Sequence, residues 1–398
     1  MANRNGGFIG TDGLDAPDPP TAVTPTGGNA SVSVAFTAPT DTGTSAITGF
    51  VAQVSTDGTN YSAGSNTGSS SPIVVSSLTN GTAATAKVWA INAYGTSAPS
   101  DASASFTPAL PRGLFGGGNS SNVMDYIDIG STGNAADFGD LSAVRTQVAG
   151  LASGTRGVFG MGDDASSSID YVTIASTGNA SDFGDPTVNR TNASGLSNST
   201  RGLFCAGSSG GTYYNTIDYI TIGSTGNATD FGDTSTTRQG TASFASPTRG
   251  IIGGGLNSSN TRINIIAYVT IGSAGDDSDF GDLSEGRNIF AGCSSDVRGL
   301  FGGGNEGGAE TNKIEYITIA STGNTTDFGD LSQGVQSIGA LSSNTRGVFG
   351  GGRKGNGQSA EEMEYVTIGS TGNITDFGNL SSARQKLAGC SSVHGGLQ

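Results

Sequence analysis

Histidine is almost absent from this chain: one residue, His394, in 398. That leaves no Ser-His-Asp triad, no His-rich zinc site and no two-His copper site. Cysteine is scarce too. Cys205, Cys293 and Cys390 show no C-x-x-C spacing and fall in three different copies of a repeated pattern. No disulfide framework is expected of them; the expectation is free, buried thiols in a chain made in a reducing cytoplasm. Charge is sparse and lopsided, with 13% charged residues, 18 basic against 33 acidic, and a net charge of −15. No basic stripe exists, so neither nucleic acid nor an anionic membrane surface is an expected partner. No apolar run approaches the roughly 20 residues that span a bilayer, and the opening residues lack the pattern of a signal peptide, so membrane insertion is not expected.

Glycine is what the chain has in excess, 67 residues beside 11 prolines, about a fifth of the total and below the level of low-complexity sequence. The glycines are ordered. "RGLFGGG" or a relative opens at Arg112, Arg156, Arg201, Arg249, Arg298 and Arg346, at spacings of 44, 45, 48, 49 and 48, the range of propeller blades. A strand-like "IEYITI" follows with Tyr126, Tyr171, Tyr219, Tyr268, Tyr316 and Tyr365. Next comes "ATDFGD" with Phe138, Phe183, Phe231, Phe280, Phe328 and Phe377, then a stretch such as "KLAGCSS". Opening Arg to last Gly is 6 positions in all six copies, Tyr to Phe is 12 in all six, and Phe to the next Arg is 18 in all five internal cases. Only the segment between the Gly run and the Tyr varies, holding 7, 8, 11, 12, 11 and 12 residues.

Four short period-2 stretches per copy predict one four-stranded antiparallel sheet per repeat. In "IDYITI" (217–222), Ile217 and Tyr219 face one way and Ile220 and Ile222 the other. A strand apolar on both faces must be covered on both, so the sheets must sandwich one another. "STGN" reads as the hairpin turn, with Gly and Asn supplying positions tolerant of positive φ. The Phe of "DFGD" is expected to anchor the outer strand against the neighbouring sheet.

These residues resemble kelch repeats: a Gly-Gly doublet (Gly117–Gly118, Gly303–Gly304), a Tyr in the next strand, a large aromatic a dozen residues on, then Arg145, Arg190, Arg238, Arg287 and Arg384. Phe replaces the family's Trp throughout, Val335 stands where the fifth Arg belongs, and Ala206-Gly207 interrupts one doublet. The resemblance implies a six-bladed β-propeller over 110–398, closed by Lys386–Ser392 completing the first blade. His394 holds the opening-Arg position, 48 after Arg346. Residues 16–109 resemble a fibronectin type III domain, an immunoglobulin-like sandwich. "VSVAFTAP" has Phe36 at the family's Trp position, "ITGFVAQVS" has Phe50 at a common Tyr position, and Ala84 stands where the corner Tyr is expected. Residues 1–15 read as a glycine-rich arm. The expected fold class is thus all-β, a sandwich followed by a propeller.

No catalytic, cofactor-binding or metal-binding residues are assigned, no cofactor is expected, and the chain is read as a non-enzyme. The "DFGD" carboxylates, such as Asp137 and Asp140, carry two readings: turn caps in a solvated acidic rim, which is favoured, and a Ca²⁺ site on each repeat. Asn179, Asn227, Asn324 and Asn373, though in N-x-S/T sequences, are read as turn asparagines. Trp89 should point outward, as a contact anchor or lying across its own sheet. The variable loops, expected on the face opposite the "STGN" turns, carry the candidate contact residues Tyr213, Tyr214, Arg262, Asn264, Glu306, Arg353 and Lys354, with Glu310. They form a binding face or have simply drifted.

The combination of sandwich, near-perfect repeats and glycine-rich arm resembles bacteriophage virion proteins. That resemblance implies a tail- or fibre-associated structural protein in multiple copies, made in the host cytoplasm and released by lysis. Residues 1–110 would dock on other virion proteins, and the propeller loops would bind a host surface glycan or protein. The alternative is a head, neck or tail decoration protein that stabilises the particle without binding the host.

Overall fold

The structure, a computed structural model, describes residues 15–28, 30–108, 111–119, 121–162 and 168–392. His394 and residues 1–14 of the arm lie outside them. The described chain is all-β, in antiparallel sheets with no helix among the described residues. It divides into two compact units, one within residues 1–110 and one from Pro111 to Leu397.

The first unit has two sheets. Thr21–Gly28, Ser31–Thr37 and Ile73–Ser76 form one; Gly64–Gly68, Ile47–Ser55, Thr85–Asn92 and Gly95–Thr96 form the other. Alternation decides what is buried: Val32, Val34 and Phe36 on one sheet pack with Phe50, Ala52 and Val54 and with Ala86, Val88 and Ala90 on the other. Phe36 and Phe50 meet with ring centroids 4.7 Å apart. Beyond Thr96 the chain leaves regular strand geometry yet stays attached. Ser97, Ser100 and Ser103 donate their N–H groups to the carbonyls of Ala90, Val88 and Ala86. Their hydroxyl oxygens accept the N–H groups of the same three residues at 2.9–3.0 Å. Ala84, lacking the corner Tyr, pairs through its backbone with Phe106 at 2.8 and 2.9 Å.

The second unit holds six four-stranded sheets. The second is typical, in the order Ala149–Ala152, Arg156–Gly160, Ile169–Thr173, Ser181–Gly184. In the first sheet the place of the first strand is taken by Ala388–Ser391, which pairs antiparallel with Arg112–Gly116 in the register Cys390↔Leu114. The C-terminal stretch therefore completes the sheet begun 276 positions earlier by Arg112–Gly116. Each sheet's first strand lies beside the first strand of the next, and Gly339–Ser342 of the sixth lies beside Ala388–Ser391, which neighbours Ala149–Ala152. Glycine permits this approach: a Cβ at Gly150 would sit 2.7 Å from the Gly389 carbonyl oxygen, and one at Gly195 2.3 Å from that of Gly150.

Six buried clusters fill the six spaces between sheets. Ile220 and Ile222 enter the cluster shared with the second sheet, and Ile217 and Tyr219 the one shared with the fourth, as the period-2 reading expects. Phe138 is buried with Phe159, Val172 and Ile174 of the next sheet. Phe377 of the last repeat is buried with Phe115, Ile127 and Ile129 of the first. Each Tyr meets its own Phe edge-on at 5.9–6.2 Å. The opening Arg lies over that Tyr at 4.2–4.6 Å, then donates to an Ile carbonyl of the next sheet. The partners are Ile174, Ile222, Ile271, Ile319 and Ile368 in order, and Arg346 reaches Ile129 of the first repeat, all at 2.8–3.0 Å.

The "STGN" turn corrects one expectation. Its Asn does not adopt positive φ. The side-chain oxygen instead accepts a backbone N–H across the sheet boundary: Asp140 donates to Asn179, Asp185 to Asn227, Asp282 to Asn324, Asp330 to Asn373, and Asn379 of the last repeat to Asn134 of the first, at 3.0–3.1 Å. Asp276 replaces Asn in the fourth turn and accepts from Asp233 at 3.0 Å. The turn is a staple between repeats. The glycine of "DFGD" makes room for it: at Gly139, φ +136, a Cβ would lie 2.5 Å from the Gly178 oxygen.

Candidate functional site

The antiparallel order puts the "STGN" turns and the first-to-second-strand hairpins at one end of every sheet and the variable loops at the other. Pro111 stands at the constant end, its carbonyl accepting the Ile129 N–H at 2.8 Å. The chain thus enters this unit on the constant face, and the variable loops leave from the opposite one.

Under the loops lie the five arginines. Arg145, Arg190, Arg238, Arg287 and Arg384 are among the largest fully buried side chains of the protein. A buried guanidinium is costly without a carboxylate, and each has one, supplied by the following sheet. Arg145 pairs with Asp170 at 3.4 Å, Arg190 with Asp218 at 3.0 Å, Arg287 with Glu315, and Arg384 with Asp125 at 2.5 Å. These acids sit one position before the repeat Tyr, a regularity plain in the sequence once its partner is known. The fourth repeat has Ala267 there, and Asp277 from the adjacent turn substitutes, 3.6 Å from Arg238. That separation is an ion pair but not a hydrogen bond, and Arg238 NH2 and Asp277 Oδ2 have no hydrogen-bond partner among the described residues. Burial pushes the Asp218 and Asp277 carboxyls up, against the pull of Arg190 on the first and of the Ser235 N–H and Arg238 on the second. Burial likewise lowers the arginines at 145, 238, 287 and 384, opposed by their carboxylate partners.

Four of these arginines clamp the feet of loops; Arg190 instead donates from NH2 to the Phe204 carbonyl at 3.4 Å. Arg384 NH1 donates to the carbonyls of Gly117 and Val123, at the start and end of the first variable loop (3.1 and 2.7 Å). Arg145 does so to Met161 and Ser168 (3.5 and 2.5 Å), Arg238 to Gly254 and Ile265 (3.1 and 3.2 Å), and Arg287 to Gly303 and Lys313 (3.4 and 3.3 Å). A loop fixed at both feet can change length without disturbing the sheet below. The sixth loop has Val335 in place of the clamp, and its facing acid, Glu364, makes no side-chain bond among the described residues. Surface ion pairs hold this loop instead: Arg353 to Glu310 of the fifth loop at 2.9 Å, and Lys354 to Glu362 at 2.6 Å.

The candidate contact residues are spread over four loops. Tyr213 is half-buried and its hydroxyl accepts from Gln239 Nε2 at 3.1 Å; Tyr214 is half-buried beside it. Arg262 donates from Nε to Asn288 Oδ1 at 3.1 Å. Asn264 is exposed and its carbonyl accepts the Leu283 N–H at 2.8 Å. Glu306 pairs with Lys313 at 2.8 Å. Trp89 belongs to the other unit, on the outer face of its sheet, half-buried with Tyr61 edge-on at 6.4 Å. The structure brings Arg262 and Glu306 together. They line a cleft of about 730 Å³ between the fourth and fifth loops, with Asn260, Glu285, Glu310 and Lys313.

Nearer the middle, the residues that lead into the first strands join hand to hand. Gln147 donates its N–H to the Lys386 carbonyl, Lys386 to Ser337, Ser337 to Ile289, Ile289 to Gly240 and Gly240 to Asn192, at 2.7–2.9 Å. The space they line is about 120 Å³, room for a few waters rather than a ligand. Among the described residues no group of three or more His, Cys, Asp or Glu side chains is placed to hold a metal. Cys205, Cys293 and Cys390 are free and buried as expected, and burial pushes each thiol up to about 12. No known protein family matches the chain, and no curated protein sequence does.

Proposed function

We propose that the chain is a non-enzymatic structural protein of a bacteriophage virion, associated with the tail or its fibres. In this reading the first unit is a fibronectin type III-like sandwich, and the second is a six-bladed kelch-like propeller whose C-terminal strand closes the ring. Residues 1–110 dock on other virion proteins, several copies per particle, and the propeller loops bind a host surface. The observation that carries the reading is the division of labour between the two faces of the second unit. The face where the chain enters is built from turns identical in bonding from repeat to repeat, and the opposite face holds all the variation in length, on bases that an arginine clamps in four of the six repeats. Support for closure comes from the sixth-to-first boundary, bonded like the others through Arg346, Asn134 and the Phe377 cluster. Lysis would carry such a protein out of the cytoplasm in which its thiols stay reduced.

A second reading has its own support. Glu306, Arg353 and Lys354 spend their charges on partners within the chain, as the loops of a decoration protein would. The two separate with the full-length chain and a variant whose third to sixth loops are trimmed to the length of the first. Each is incubated with bacterial cells and with virions lacking the protein. We expect the parent to sediment with cells and virions, and the trimmed variant with virions alone. If the parent goes only to virions, host binding fails and decoration takes its place.

A further inference from the structure

We propose that the cleft between the fourth and fifth loops is a carbohydrate-binding site for uncharged, hydroxyl-rich sugars; this deepens the host-binding reading and rests on it. The volume, about 730 Å³, falls in the range of small-ligand sites. Its lining settles the class of ligand. Arg262, Lys313, Glu285, Glu306 and Glu310 stand with Asn260 and Thr311, and no aromatic or large aliphatic side chain lines it. An apolar ligand would bury these groups unpaired, at a cost in affinity. Lys313 on Glu306 and Arg353 on Glu310 leave one guanidinium facing one carboxylate, a balance that offers a polyanion such as a phosphorylated or acidic polymer no net attraction. A sugar hydroxyl is at once donor and acceptor, so it can use carboxylate and guanidinium together, and a chain of hydroxyls matches a wall of alternating sign.

The walls are held before any ligand arrives. Asn257 Oδ1 accepts the Ser259 and Thr261 N–H groups at 3.1 and 2.9 Å. Glu306 is held by Lys313, and Glu310 by Arg353 and by Gln336 Nε2 at 3.3 Å. The floor tolerates only glycine: a Cβ on Gly286 would lie 2.3 Å from the Arg262 carbonyl oxygen. Against that frame two charged side chains have no ion-pair partner among the described residues. Arg262 is anchored through Nε, and its two terminal NH₂ groups make no bond among the described residues. Glu285 is exposed and likewise uncommitted. A rigid frame with one spare guanidinium and one spare carboxylate is a preorganised polyol site.

The test uses the full-length chain on the bacterial cells it sediments with, left intact, treated with protease, or treated with periodate, which cleaves the vicinal diols of sugars. Binding should survive protease and be lost after periodate. R262A and E285Q should each weaken cell binding at least tenfold while leaving virion attachment unchanged; E285Q should keep the parent melting temperature, and R262A should lose only about 2 °C for its bond to Asn288. S224A, in an exposed "STGN" turn at the opposite end of the sheets, should bind like the parent. Full-strength binding by R262A and E285Q, together with loss of binding on loop trimming, would overturn the cleft and leave the host-binding reading standing. Binding that protease destroys and periodate spares would replace the sugar with a protein receptor. A chain that sediments with no cells at all overturns both.

Discussion

Arg384→Met removes the clamp at the boundary where the two ends of the repeat array meet. The change keeps the apolar stem and deletes three bonds, to the Gly117 and Val123 carbonyls and to Asp125. It leaves Asp125, 0% exposed, with only the Ser381 N–H and hydroxyl for company (3.1 and 2.6 Å). Breaking one side of a buried ion pair costs about 3–5 kcal/mol, chiefly because the other charge is stranded. With an unfolding entropy of roughly 2.1 cal/mol/K per residue over some 280 residues, that is a fall of about 5–8 °C in melting temperature. The mechanism makes a sharper demand than the size. Asp125→Asn in the R384M background should restore about half the loss, because a neutral amide needs no counter-charge. In the parent background the same change should destabilise by stranding Arg384. Scanning calorimetry of the four proteins gives the coupling directly. A fall under 1 °C for R384M, or costs that simply add in the double variant, would refute the account of the clamp.

Three further outcomes follow from the same geometry. Ser197, Ser294, Ser342 and Ser391 each donate a hydroxyl to a backbone carbonyl of the preceding first strand (2.7–2.9 Å), and Ala152 and Ala245 break the pattern, so A245S should raise the melting temperature by about 1–2 °C for one new hydrogen bond; a decrease would mean the position cannot take the oxygen. The three thiols should resist a disulfide-exchange reagent in the native protein and all react in denaturant, and a thiol titrating rapidly under native conditions would contradict their burial. Asp218 and Asp277 hold their protons more tightly folded than unfolded, so their contribution to stability is full below the ordinary carboxyl value of 3.8 and is lost as pH rises through the folded values. On acidification from neutral pH the parent should therefore gain melting temperature relative to D277N, and a gain by D277N would reverse the sign of the argument.

Periodicity carried the sequence reading a long way because its signals are local. The faces of "IDYITI", the Phe wedge and the buried thiols follow from residues one or two positions apart. What escaped depends on partners in another repeat. The acids before each Tyr lie 25 to 28 positions from their arginines in three pairs and on the far side of the sequence for Arg384, so nothing local marks Asp125 or Asp170 as the answer to a buried cation. The turn asparagines hid their role in the same way, because the N–H groups they serve belong to a neighbouring "DFGD". Ala267 and Asp277 show the cost of reading columns alone: a position that loses its acid is served by another that gains one. Trp89 was open in the sequence because its covering ring, Tyr61, follows a turn organised by Asp57, which accepts from Ser55, Thr59 and Asn60. At the cleft, the alternation of signs was visible residue by residue, but not the meeting of two loops nearly 50 positions apart.

Pro111 and Ser392 stand at the same end of one antiparallel pair, with Gly113 opposite Ser391. Force drawn between those two ends would peel the pair apart one bond at a time. Tension between Pro111 and the variable-loop end of the sheet runs differently, lengthwise along Arg112–Gly116, which is flanked by Ala388–Ser391 on one side and Ser121–Asp128 on the other. Every bond in both ladders then resists in shear together, and Ala388–Ser391 splints one side of the loaded strand as Ser121–Asp128 does the other.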